Sequence, residues 1–152
     1  MILLFKDKEE YLKACKFLFT GMTVFLIVSS VFPNGHYLRP MTFEHNNIFV
    51  ALTQIIYSND TATNLFPSIH VFNSIGINIA IHRSKVFADH KKIQMASTIL
   101  MWSIILSTMF LKQHSVFDVI CGFIMAVALY RSVYADDTVL ERTTVESLRR
   151  VS

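Results

Sequence analysis

Two histidines and one aspartate are the residues of this chain best placed by type and spacing to do chemistry. His114 and Asp118 lie four residues apart where an apolar run begins, so on a helix both project from one face and the carboxylate can accept the imidazole N–H. Such a pairing fixes the tautomer. It leaves the other ring nitrogen as an outward lone pair that is stabilised as it gains charge, as a nucleophilic or basic histidine requires. His70 follows Pro67-Ser68-Ile69 at the start of another apolar run. There Ser68 can cap the helix, and the open N–H groups of the first turn, with the helix dipole, favour an anion. On the functional reading the Ser68 hydroxyl and nearby amides cradle phosphate oxygens while His70 stands beside them as an acid; on the plainer one Ser68 is a cap and nothing more. Arg39, followed by Pro40, offers a planar guanidinium that matches phosphate in bidentate fashion. Lys112 can add a cation or simply snorkel from the end of its apolar run. Ser107 opens the polar cluster that runs through His114 to Asp118. His36, His45, His82 and His90 have no spaced partners, and surface or interfacial roles are expected for them.

For three clusters so far apart in sequence to meet, the elements between them must all turn back to one face. The 152 residues are 53% hydrophobic and 16% charged, against roughly 25% charged in ordinary soluble domains. The apolar residues come in long blocks without strand alternation, which points to helices in lipid. Spans of about 20 residues are expected over 14–32, 69–87, 93–111 and 116–134. The second holds Asn73, Asn78, His82 and Arg83, so its lipid portion is expected to be shorter and its polar side chains to face other helices. Within the connection after Pro33-Asn34-Gly35, apolar residues at helical spacing over 47–57 suggest a short helix in the interface. The expected fold is therefore all-α: an integral membrane helical bundle of about four transmembrane helices plus a short interfacial helix. It forms one embedded domain over 1–134, followed by a polar cytoplasmic tail over 135–152.

Twelve of the 14 lysines and arginines flank these spans on one side, and Arg39 and Lys112 alone lie on the other. By the rule that cytoplasmic loops retain positive charge, both termini are expected in the cytoplasm and the three clusters on the extracytoplasmic face of a plasma membrane of bacterial type. The net charge of +3 is scattered in short groups and lines no polar face, so nucleic acid is not an expected partner. Cys15 and Cys121 lie in apolar runs without ligand-like neighbours, which argues against a zinc site or a disulfide framework. The start of the chain lacks a small-x-small cleavage pattern and is expected to stay in the membrane.

Arg39-Pro40, Pro67-Ser68-Ile69-His70 and Ser107 through His114 to Asp118 resemble, in order and spacing, the three motifs of the type 2 phosphatidic acid phosphatase superfamily. The resemblance covers 32–134. It implies that His114 attacks phosphorus to form a phosphohistidine, that Asp118 orients and stabilises it, and that His70 protonates the leaving alkoxide. Arg39, Ser68 and Ser107 would hold the phosphate oxygens. A lipid phosphate would be the substrate, with no cofactor and no metal. Two departures stand out: the family has a lysine where this chain has Phe32, and an arginine where it has Thr108. Lys112 is a candidate to supply one of these cations. The family's membrane members commonly place two more spans ahead of the first motif, so the chain reads as an amino-terminally short member.

The leading expectation is a phosphatase acting on a lipid phosphate monoester or diphosphate. A lipid phosphotransferase similar to the sphingomyelin and inositol-phosphorylceramide synthases differs only in the acceptor that attacks the phosphohistidine, and stays open. So does a catalytically silent membrane module whose polar residues only cap and pair helices, and so does association of two copies in place of absent helices. A metal site built from His70, His114 and Asp118 fits less well, since no further acidic or histidine partner is well placed.

Overall fold

Between Lys8 and Pro33 nothing breaks a helix, and Glu9 and Glu10 sit where a helix N-terminus favours acidic side chains. This stretch forms α1, Lys8–Val31. The computed structural model describes residues 7–33, 35, 39–40, 42–43, 47–59 and 66–135, and the expected polar tail lies, but for Ala135, outside the described residues. Four more helices follow: α2 (Ile48–Asn59), α3 (Ile69–Arg83), α4 (Lys91–Phe110) and α5 (Val116–Val133). Among the described residues the protein is all-helical, and α1, α4 and α5 are long and apolar enough to cross a membrane. α2 is the expected short apolar helix.

The second expected span is the one that shortens. α3 stops at Arg83, where Ser84 ends the helix and its hydroxyl accepts the Val86 N–H at 3.3 Å. Its 15 residues extend about 22 Å, short of the roughly 30 Å of a hydrocarbon core. α3 is nonetheless the hub, packing against α1, α4 and α5, while α1 also packs against α5. Its polar residues do turn inward where they can find partners: the Asn78 side-chain oxygen accepts from the Ser97 and Thr98 hydroxyls at 2.9 and 3.2 Å.

Helices in lipid gain little from excluding water, so close approach and good van der Waals contact must hold them. Gly21, Gly76 and Gly122 make that approach. A Cβ on Gly21 would lie 2.0 Å from the Phe72 ring, and one on Gly122 would lie 2.9 Å from the Ser68 carbonyl oxygen. The space left by Gly21 lets Phe72 stack on Phe17, with centroids 4.7 Å apart and planes within 10°. Those rings, Met125, Ala126 and Tyr134 form one buried cluster; Val71, Met101, Ile105 and Val119 form a second. The outside is apolar as well: Phe19 and Phe110 are 72% and 79% exposed, as suits a surface facing acyl chains.

These contacts fix the directions. Gly21 faces Phe72 and Gly76 faces Phe17 and Leu18, so α1 and α3 run antiparallel. Gly122 faces Ser68 and Val71 while Arg83 reaches Tyr130 and Tyr134, so α3 and α5 run parallel, with their N-termini at the same end. The opposite end is clamped. Arg83 Nε donates to Glu10 at 3.1 Å, its guanidinium lies 4.6 Å from the Tyr134 ring centroid, and the Asp7 carboxylate accepts the Lys85 N–H at 3.1 Å.

Candidate active site

Two helix N-termini meet where α3 and α5 begin, and each is capped by serine. The Ser68 hydroxyl accepts the Val71 N–H at 3.4 Å. Ser115 and Asp118 form a capping box: the Ser115 hydroxyl accepts the Asp118 N–H at 3.2 Å, and the Asp118 carboxylate accepts the Ser115 N–H at 2.8 Å. The two starts are stitched together. The Ser68 N–H donates to the Asp118 carbonyl at 3.2 Å, and the Phe66 and Phe117 rings stack at 5.5 Å. Gly122, one turn after Asp118, leaves room for the Ser68 carbonyl.

This join brings the two histidines together. The His70 and His114 rings stand edge to face, with centroids 5.5 Å apart and planes at 65°. His70 is exposed, whereas His114 is only 6% exposed and backs onto the bundle. His114 Nδ1 lies 3.9 Å from an Asp118 carboxylate oxygen, the same oxygen that accepts the Ser115 N–H. That separation is longer than a hydrogen bond and within reach of an ionic contact when the ring carries a proton on both nitrogens. Asp118 therefore serves two masters: it closes the helix cap and it faces the imidazole.

The turn before α5 fixes the height of His114. α4 ends at Phe110, and Lys112 takes a left-handed backbone with φ of 49°, a conformation that glycine usually supplies. The Gln113 and His114 N–H groups then both donate to the Thr108 carbonyl, at 2.9 and 3.2 Å. Thr108 is buried at 3% exposure, while its neighbour Ser107 is exposed and its hydroxyl donates to the Ile104 carbonyl of its own helix. Ser68 is fully buried in its capping role. His70, His114 and Asp118 are thus gathered into one group with Ser68 behind them, while the Ser107 hydroxyl is turned along its own helix.

Arg39 arrives by a separate route. Its guanidinium lies 4.7 Å from the centroid of the Tyr57 ring, and the Tyr57 hydroxyl donates to the Leu111 carbonyl at 2.8 Å. The short apolar helix α2 therefore ties Arg39 to the same turn that carries Lys112 and His114. Sequence reasoning missed Tyr57, since nothing in its spacing names a partner. It also missed Gly122, whose position four residues after Asp118 puts it on the same helix face and could have marked the contact. Among the described residues no group of three or more histidine, cysteine or acidic side chains is arranged to hold a metal ion.

Two convergent imidazoles, a carboxylate facing the buried one, and two adjoining helix N-termini make a site suited to phosphoryl transfer, in which positioning and neutralisation of oxygen charge supply most of the catalysis. Comparisons with curated proteins and with solved structures gave no match. Among protein families, the PAP2 superfamily matches residues 38–139, well over half of the chain. That match contains Arg39 and the whole of the histidine site, and the chain belongs to the PAP2 superfamily, the type 2 phosphatidic acid phosphatases.

Proposed function

We infer that the protein is a membrane phosphatase that removes phosphate from a lipid phosphate monoester or diphosphate through a phosphohistidine. Members of its superfamily are phosphatases. The observation that carries the finer reading is the edge-to-face approach of His70 and His114 at the junction of two helix N-termini. His114 Nδ1 faces Asp118, and we assign the attack on phosphorus to Nε2. As the N–P bond forms and the P–O bond to the lipid breaks, His70 gives its proton to the departing oxygen. Asp118 stabilises the positive charge that His114 acquires. Water, losing a proton to His70, then displaces His114 from phosphorus and releases inorganic phosphate. Arg39 and the open amides of α3 and α5 offset charge on the phosphoryl oxygens, and Lys112 stands on the turn beside them.

The substrate is a lipid because the site lies at the end of a bundle whose outer surface is apolar. The charge pattern supports an extracytoplasmic site with both termini in the cytoplasm: Lys13, Arg83, Lys85 and Arg131 belong to the end of the bundle away from the histidines. One observation favours a lipid phosphotransferase as second reading. Thr108 supplies no cation and is buried beneath the turn, so a singly charged phosphodiester fits the site as well as a monoester does. Both readings are tested by incubating the full chain with a panel of lipid phosphates and following inorganic phosphate beside a labelled headgroup product. Phosphate release, inhibited by vanadate, is the expected result. Headgroup transfer without release would establish the second reading, and neither product from any lipid would remove both.

A further inference from the structure

A cavity of about 700 Å³ opens between α3 and α5 at the end of the bundle away from the histidines. Its volume falls in the range of roughly 300–1,000 Å³ typical of small-molecule sites. The wall graduates from apolar to cationic along the helix axes. Ile75, Ile79, Phe123 and Val127 line the part toward the middle of the bundle; His82, Arg83 and Arg131 line the end. From His70 to His82 α3 advances about 18 Å, so a molecule whose phosphate sits at that end does not present that phosphate to His114.

We propose that this cavity is a second lipid site, separate from the reaction, that holds a phospholipid with an anionic, hydroxyl-bearing headgroup: one acyl chain in the groove between α3 and α5, the phosphate against Arg131 and a headgroup hydroxyl against His82. Charge complementarity selects the occupant. Glu10 is committed to Arg83 and Asp7 to the Lys85 N–H, and neither Glu9 nor Asp89, the other described acidic residues of this end, lines the cavity. Arg131 is exposed. His82 Nδ1 lies 2.9 Å from the Asn78 carbonyl, which can only accept, so that nitrogen carries the proton and Nε2 is an acceptor suited to a headgroup hydroxyl. Lys85 in the connection that follows, and Lys91 and Lys92 at the start of α4, add positive charge to this end of the bundle. The entrance is sideways from lipid, since Val127 is 53% exposed.

Trp102 reports on this groove, because it is the single tryptophan and its ring lies 6.0 Å from that of Phe123 in the cavity wall. The full chain carrying His114→Ala, which separates binding from turnover, is placed in phosphatidylcholine vesicles. Phosphatidylglycerol with brominated acyl chains is titrated in, and brominated phosphatidylcholine is titrated in parallel. Quenching of Trp102 by the phosphatidylglycerol is expected to saturate at a lower fraction of total lipid than quenching by the phosphatidylcholine. Arg131→Ala should raise the half-saturating fraction about tenfold, the effect of losing one charge-assisted hydrogen bond, and leave the phosphatidylcholine curve unchanged. Val127→Phe should remove the saturable component by filling the groove. Equal curves for the two lipids, or no effect of Arg131→Ala, would overturn the proposal. So would covalent dimers formed through Val127→Cys in the presence of phosphatidylglycerol, because a second copy would then occupy the groove.

Discussion

The two ends of the bundle use charged and polar side chains in opposite ways. At one end Arg83, Glu10 and Tyr134 spend their interactions on each other at 3.1 Å and 4.6 Å, and Asp7 closes on a backbone N–H. At the other, His70 and His114 face each other at 5.5 Å, and Asp118 stands 3.9 Å from the ring it serves. Saturated charges staple helices. The histidines meet edge to face, an arrangement that leaves the exposed His70 open to a ligand. In lipid, where an ionisable group is costly, the two arrangements separate structural from chemical use of the same residue types.

Substitutions can break this contrast in order of expected size. His114→Ala should lower turnover by on the order of 10⁴-fold or more and abolish trapping of labelled phosphate on the protein. Labelling at the wild-type level would show that the nucleophile lies elsewhere. His70→Ala should slow hydrolysis of alkyl phosphates by about 10²–10⁴-fold and of nitrophenyl phosphate far less, because a good leaving group needs little help from an acid. Equal losses on both would strip His70 of its acid role.

At the clamped end the currency should be stability instead. Glu10→Ala leaves a partly buried guanidinium without its carboxylate and should cost about 1–3 kcal/mol, read as a lower midpoint of thermal inactivation. The kcat of the surviving folded fraction should be unchanged; a fall as large as that of His70→Ala would show that the ends are not separable. The smallest effect is expected at Lys112. Lys112→Gly relieves the left-handed backbone and should add about 0.5–1 kcal/mol of stability. A severalfold rise in KM for lipid phosphate would accompany it if the ammonium helps hold the anion, and an unchanged KM would leave the lysine with only a snorkelling role.

The sequence made the long helices legible because hydropathy is summed over many residues: α4 and α5 fall within two residues of the expected spans. The start of α1 and the end of α3 moved further, and for one reason. Lys8 to Lys13 looks too polar to begin a span, yet Glu10 finds Arg83 from 73 residues away. No local pattern announces such a partner. The histidine site was legible through helix periodicity, which puts His114 and Asp118 on one face, and through Ser68, which marks where α3 starts. Three details were not. Asp118 shares its carboxylate with the Ser115 cap, Thr108 and not Ser107 carries the turn below His114, and Tyr57 supports Arg39. Each depends on which of two neighbouring residues faces inward, or on a contact between distant elements, and only the assembled bundle decides that.

The shortness of α3 bears on how a bilayer would fit around the bundle. A hub helix of about 22 Å, surrounded by longer neighbours, leaves a shortfall of about 8 Å against the hydrocarbon slab. Its Arg83 end is level with its neighbours, where Glu10 and Tyr134 meet it, so the shortfall falls at the histidine end. There Ser68 meets Asp118 and Gly122 inside the start of α5, which would leave a shallow well in a bilayer. A lipid arriving at that well would bring its headgroup to the imidazoles without being lifted out of its leaflet, so the depth of the well, set by the length of one helix, limits how far a substrate has to rise.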